Sequence, residues 1–171
     1  MSNENIFKKW DREINTVALA ADIREAEQNG GTNEFKEVPH GDYEVAIHKM
    51  ELKESKKGSP MVSIWFKIVS DGEFKGSMIF YNQVVNYGFQ IHLVNDMLRK
   101  IVSEMEDADE YLARIDHVKT AEDFSYEVYG NLIMDIFEVT AESFEYALSY
   151  TANGKNKNFN DYKIKEVFVL E

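Results

Sequence analysis

Between Tyr43 and Ile68 the apolar residues recur at every second position, a spacing that one face of a helix cannot use and one face of a strand requires. Tyr43, Val45 and Ile47 alternate with Glu44, Ala46 and His48, and Val62, Ile64, Phe66 and Ile68 alternate with Met61, Ser63, Trp65 and Lys67. Two strands are predicted, one from Asp42 to about Leu52 and one ending at Ile68. The polar stretch Lys53-Glu54-Ser55-Lys56-Lys57-Gly58-Ser59-Pro60 supplies the turn between them. Asp71-Gly72 is suited to the positive φ of a tight hairpin, and a third strand is expected from Lys75 to about Val85.

Helical spacing flanks this meander. Phe7, Trp10, Ile14, Val17 and Ala21 recur at three- and four-residue intervals and predict an amphipathic N-terminal helix. Gly30-Gly31 ends it, and Thr32 to His40 reads as a linker. Phe89, Leu93, Met97 and Ile101 predict a helix after the meander. Thr120-Ala121-Glu122-Asp123 resembles a helix start, and Gly130 a stop. Leu132 to Val139 and Phe144 to Thr151 then read as a strand pair, with a last strand carrying Tyr162, Ile164, Phe168 and Leu170. The expected organisation is an N-terminal helical extension and linker over residues 1–40, then a domain over 41–171 with an acidic helical insertion around 89–130. The fold class is α+β, mainly β, and the order of meander, helices and further strands is that of an OB-fold-like barrel.

Net charge narrows the function. At 171 residues and −12, the chain is a poor indiscriminate ligand for duplex DNA or an anionic membrane. The acidity is local, however: Glu104 to Glu145 carries 13 acids and 2 bases. Lys49 to Lys75 has 6 lysines against 4 acids, and Tyr146 to Lys165 has 4 against 1. There is no cysteine for thiol chemistry or a thiolate metal site. His40, His48, His92 and His117 are scattered without metal-ligand spacing, and no Gly-rich phosphate loop or nucleophile elbow is present. Neither an enzyme nor a cofactor is expected. The longest early aliphatic run, Val17 to Ala21, is far short of the roughly 20 residues of a membrane span, and the charged start does not resemble a signal peptide. A cytoplasmic protein without a membrane partner is expected.

An OB-fold binds nucleic acid on the outer face of strands two and three, between the loops joining strands one to two and four to five. If Ile64 and Phe66 point inward, Trp65 points outward beside Lys67, a pairing suited to base stacking and phosphate contact. Phe80 and Tyr81 occupy both registers of strand three; Phe80 is assigned to the core and Tyr81 to the outer face. Lys53, Lys56 and Lys57 lie in the first loop, and Lys155, Lys157 and Phe159 in the last, where an aromatic among asparagines and lysines has no core to join. Tyr146 and Tyr150 share one strand face and complete the candidate site for single-stranded DNA. A competing reading makes the acidic segment from Glu104 to Glu145 a docking surface for a basic partner protein, with the barrel only as scaffold.

A resemblance points the same way. Asn29-Gly30-Gly31, Phe35-Lys36-Glu37-Val38-Pro39 and Gly41-Asp42-Tyr43-Glu44-Val45 are followed by Lys56-Lys57-Gly58-Ser59-Pro60-Met61, Trp65-Phe66-Lys67-Ile68 and Phe74-Lys75-Gly76. From about Phe7 to Gly130 the chain resembles a family of small bacteriophage proteins long catalogued as a domain of unknown function. These are associated with phage replication and recombination genes and regarded as single-stranded DNA-binding proteins. The resemblance implies a sequence-tolerant, non-catalytic DNA-binding role in the cytoplasm of an infected bacterial host. Phage or host replication and recombination proteins are the implied partners, and a homo-oligomer is compatible with it. The C-terminal Glu166-Val167-Phe168-Val169-Leu170-Glu171 is unlike the acidic tail of bacterial single-stranded-DNA-binding proteins, so recruitment through such a tail is not expected.

Overall fold

The computed structural model describes residues 18, 20, 21, 23, 24, 37–155 and 159–170. The chain divides into two compact units, Met1–Glu37 and Val38–Glu171. In the first, Ala18, Ala20, Ala21, Ile23 and Arg24 are helical. Phe7, Trp10, Ile14 and Val17 of the expected N-terminal helix lie outside the described residues.

The second unit is α+β. Strands β1 (Gly41–Glu54), β2 (Pro60–Ile68) and β3 (Met78–Val84) form the meander, and helices α1 (Gly88–Val102), α2 (Ala108–Thr120) and α3 (Tyr126–Thr140) follow. β4 (Phe144–Ala152) and β5 (Asn160–Val169) complete an antiparallel five-stranded sheet in the order β3-β2-β1-β4-β5. Val45, Ile47, Met50, Ile64 and Phe66 of the sheet pack with Val94, Leu98 and Ile101 of α1 and Ile133 and Ile136 of α3 in one core. No helix among the described residues is long and apolar enough to cross a membrane.

A bulge in β1 sets the face on which the candidate residues stand. Ile47 pairs with Phe66 and Lys49 with Trp65, leaving His48 as the extra residue. Hence Ile47 and Met50, three positions apart, are both buried, while His48 and Lys49 are left opposite Trp65. At the end of this hairpin Gly58 has φ +83°, a conformation that side chains with a β-carbon rarely adopt, and it fixes the turn beside Lys56 and Lys57.

Although β3 and β5 stand at opposite ends of the strand order, the sheet curls enough to bring them together. The Tyr162 hydroxyl of β5 donates to the Phe80 carbonyl of β3 at 2.8 Å. The Tyr162 ring meets Tyr81 edge to face at 5.1 Å. Tyr150 stacks on Tyr162 at 5.4 Å and meets His40 at 4.8 Å, so the four side chains form a chain of ring contacts.

Several expectations are corrected. Leu132 to Val139 is not a strand: it belongs to α3, which buries Tyr129, Leu132, Ile133, Ile136 and Thr140 at helical spacing. The helical insertion therefore runs to Thr140. Thr120 ends α2 instead of starting a helix; the cap of α3 is Ser125, whose Oγ accepts from the Val128 amide. Strand three starts at Met78, not Lys75, because Lys75 and Gly76 belong to a turn tied by Lys75 N to Gly72 O and Gly76 N to Ile68 O. Phe89 and Leu93 are exposed on α1, whose buried side consists of Val94, Asn95, Met97, Leu98, Ile101 and Val102.

Gly130, expected to be a stop, lies inside α3, where a β-carbon would meet Leu52 Cδ2 at 3.5 Å, an ordinary contact. Space therefore does not demand glycine there. Gly130→Ala should raise stability by about 0.5–1 kcal/mol through reduced unfolded-chain entropy, read as a higher urea midpoint at constant m-value.

Candidate nucleic-acid interface

β2 is the ruler for the site. Its pairing with β3 sets Trp65 opposite Phe80, Ser63 opposite Asn82 and Lys67 opposite Met78. Since Ile64 and Phe66 are fully buried, Trp65 and Lys67 stand on the other face, with Trp65 half-buried and Lys67 exposed. Phe80 is 46% exposed and Tyr81 only 7%, which reverses the expected register of strand three. Phe80 is the outer aromatic, while Tyr81 packs in the core, where burial and the nearby Tyr162 phenol raise its pKa.

Trp65 is held on four sides. Phe80 meets it edge to face at 5.3 Å, and His48 lies nearly parallel to it at 6.3 Å and 11°. Lys49 Nζ stands 5.0 Å from its ring centroid, and the indole Nε1 donates to Ser63 Oγ at 3.2 Å. Ser63 is itself buried and donates to Asn82 Oδ1 at 2.8 Å. The indole is thus pre-positioned, so little side-chain freedom remains to be lost when a flat ligand meets it. Glu51 partly neutralises Lys49 at 3.3 Å, whereas Lys53, Lys56, Lys57 and Lys67 make no ion pair among the described residues.

Partial burial, then the Lys67 and Lys49 ammoniums, pull the His48 imidazole below its ordinary pKa of 6.5. This group therefore favours the folded state above pH 6.5, and that contribution is lost as pH falls through the lowered value. Phosphate brought to the face would stabilise the imidazolium. In an NMR titration His48 should read below 6.5 in the free protein and move upward with an oligonucleotide bound; an unchanged value would place the phosphates elsewhere.

The remaining candidates fall into three places. Lys53, Lys56 and Lys57 stand at the β1–β2 end of the sheet, while Lys155 and Phe159, both exposed, stand at the β4–β5 end. The register sets Trp65 between these ends. Tyr150 is half-buried, in contact with His40 and Tyr162, and its hydroxyl accepts from Asn160 Nδ2 at 3.3 Å. Tyr146 does not reach the surface: it is fully buried, with its hydroxyl directed to the Ile101 carbonyl at 3.4 Å, so it is a core residue. Burial raises its pKa. Lys157 lies outside the described residues.

Residues absent from the sequence-based site are His48, which the alternation of β1 already sets opposite Trp65, and Lys49, which the bulge turns to the same face. No group of three or more metal-ligating side chains is gathered among the described residues. A cavity of about 360 Å³ lies between α2 and α3, lined by Val118, Phe124, Val128 and Leu132 among others, and includes none of the candidate residues.

A family model described as "Protein of unknown function (DUF669)" matches residues 21–107, the segment that carries β1, β2, β3 and α1. Trp65, Phe80 and the Lys56–Lys57 hairpin lie within it; Tyr150 and Phe159 lie beyond it. No curated protein matches the chain.

Proposed function

The chain belongs to the DUF669 family, whose function is unknown, and we propose that it is a non-catalytic, sequence-tolerant single-stranded DNA-binding protein of bacteriophage replication or recombination. The observation that carries this reading is the outward Trp65–Phe80 pair, pre-positioned on β2 and β3 with lysine-bearing hairpins at both ends of the sheet. Stacking on aromatic rings tolerates any base, and lysines follow the backbone without reading sequence.

The fold supports the reading. The strand order β3-β2-β1-β4-β5, helices inserted between β3 and β4, and the Tyr162 bond to the Phe80 carbonyl fit a partly open OB-fold barrel, whose strands two and three bind oligonucleotides. The resemblance to phage proteins supplies the setting, the cytoplasm of an infected bacterium, and the replication and recombination partners.

Salt tests the electrostatic half of the proposal. If about four of Lys53, Lys56, Lys57, Lys67 and Lys155 contact phosphates, log affinity for poly-dT should fall with log salt at a slope near −3, about −0.7 per contact. Lys56→Ala with Lys57→Ala should bring the slope to about −1.4 without changing the urea midpoint. A wild-type slope near zero would defeat the proposed footprint.

A further inference from the structure

Among the described residues, Phe89 at 67% and Tyr87 at 65% are the most exposed large apolar side chains. Water-exposed rings contribute nothing to the core, and an adjacent pair makes a patch where a single exposed residue would not. Their planes lie within 5° of parallel, with centroids 6.3 Å apart. The backbone beneath them is fixed: Gln90 Oε1 accepts from the amides of Asn86 and Tyr87 at 2.9 and 3.0 Å. The Tyr126 hydroxyl anchors the preceding Val85 carbonyl at 2.8 Å.

Their neighbourhood gives this patch its chemistry. The Val85 amide donates to the Pro60 carbonyl at 2.9 Å, and Pro60 pairs with Glu54 at the end of the hairpin that carries Lys56 and Lys57. Two exposed, parallel aromatic faces therefore stand at the same end of the sheet as two lysines that are exposed and make no ion pair among the described residues. Rings that stack bases and cations that meet phosphates are the two components of a single-strand site. β3 leads toward it from Phe80, with the exposed Asn82 on the way.

We infer that Tyr87 and Phe89 form a second base-stacking station, and that a single strand engaged by Trp65 and Phe80 continues along β3 to it past the Lys56–Lys57 hairpin. This rests on the single-stranded DNA reading above. Tyr87 lies seven residue steps beyond Phe80, at most about 23 Å of extended chain. At about 3.4 Å per stacked nucleotide a strand needs roughly seven nucleotides to cover that distance. A tetranucleotide on Trp65 falls short; a dodecanucleotide spans both stations.

The experiment titrates labelled dT4 and dT12 into the wild-type chain, Trp65→Ala and the double variant Tyr87→Ala/Phe89→Ala, with a urea midpoint for each. Tyr87→Leu/Phe89→Leu, which keeps apolar bulk but removes the ring faces, serves if the alanine variant does not fold. The double variant should bind dT4 like wild type and dT12 roughly ten- to a hundred-fold more weakly. Trp65→Ala should lose affinity for both. Full dT12 affinity in the double variant, or equal losses at both lengths, overturns the second station while leaving the first intact. A wild-type chain that binds neither oligonucleotide overturns the DNA reading and the station together.

Discussion

Trp65→Ala is expected to weaken poly-dT binding by about 1–3 kcal/mol, a loss of roughly five- to 150-fold, with a smaller change in stability. The ring is half-buried, and its packing comes from outer-face neighbours, Phe80 at 5.3 Å and His48 at 6.3 Å. Losing the edge-to-face pair costs about 0.5–1.5 kcal/mol of folding free energy. A urea midpoint that collapses while the folded fraction binds poly-dT normally would make Trp65 a structural residue and leave the proposed face without its centre.

One position further along β2 the balance reverses. Phe66 is fully buried opposite Ile47 and Ile79, so Phe66→Ala should cost about 3–5 kcal/mol of stability through a core cavity. Its effect on binding should vanish once the folded fraction is accounted for, because the side chain never reaches the outer face. The two variants, read by urea midpoint and poly-dT affinity, give opposite signatures from adjacent residues. Equal signatures would mean that strand alternation does not separate core from interface here.

That alternation is the part of the molecule most legible in the sequence. Val62, Ile64, Phe66 and Ile68 leave only one way for β2 to face, and Trp65 follows from it. Strand three was less determined, because aromatics occupy both registers and only its pairing with β2 sets Phe80 outward and Tyr81 inward. Leu132 to Val139 resembles a strand for a related reason: Val128, Met134 and Val139 are exposed apolar residues that fill the outer side of α3 and obscure the helical period. With Gly130 in the middle and β-branched residues around it, the segment resembles a strand until the core chooses Leu132, Ile133 and Ile136.

The site was legible where it depends on one strand and hidden where it depends on two. Lys49 reaches Trp65 through a bulge that exists only in the pairing of β1 with β2, which sets it beside His48. Tyr146 obeys its strand's alternation, yet the partner for its phenol, the Ile101 carbonyl, comes from a helix 45 residues away. No local pattern announces such a partner. Phe89 fits the helical stripe of the segment after β3 in sequence, and only packing of that helix shows that its buried side is elsewhere.

The central claim is that Trp65 stacks on the bases of a single strand. The chain has two tryptophans, Trp10 and Trp65, so a Trp10→Phe variant leaves Trp65 as the sole indole reporter. Its fluorescence should be quenched saturably by poly-dT and hardly at all by the same nucleotide concentration of blunt duplex, whose base faces are hidden. Equal quenching by duplex, or no quenching by poly-dT while a label on the DNA still reports binding, would contradict it.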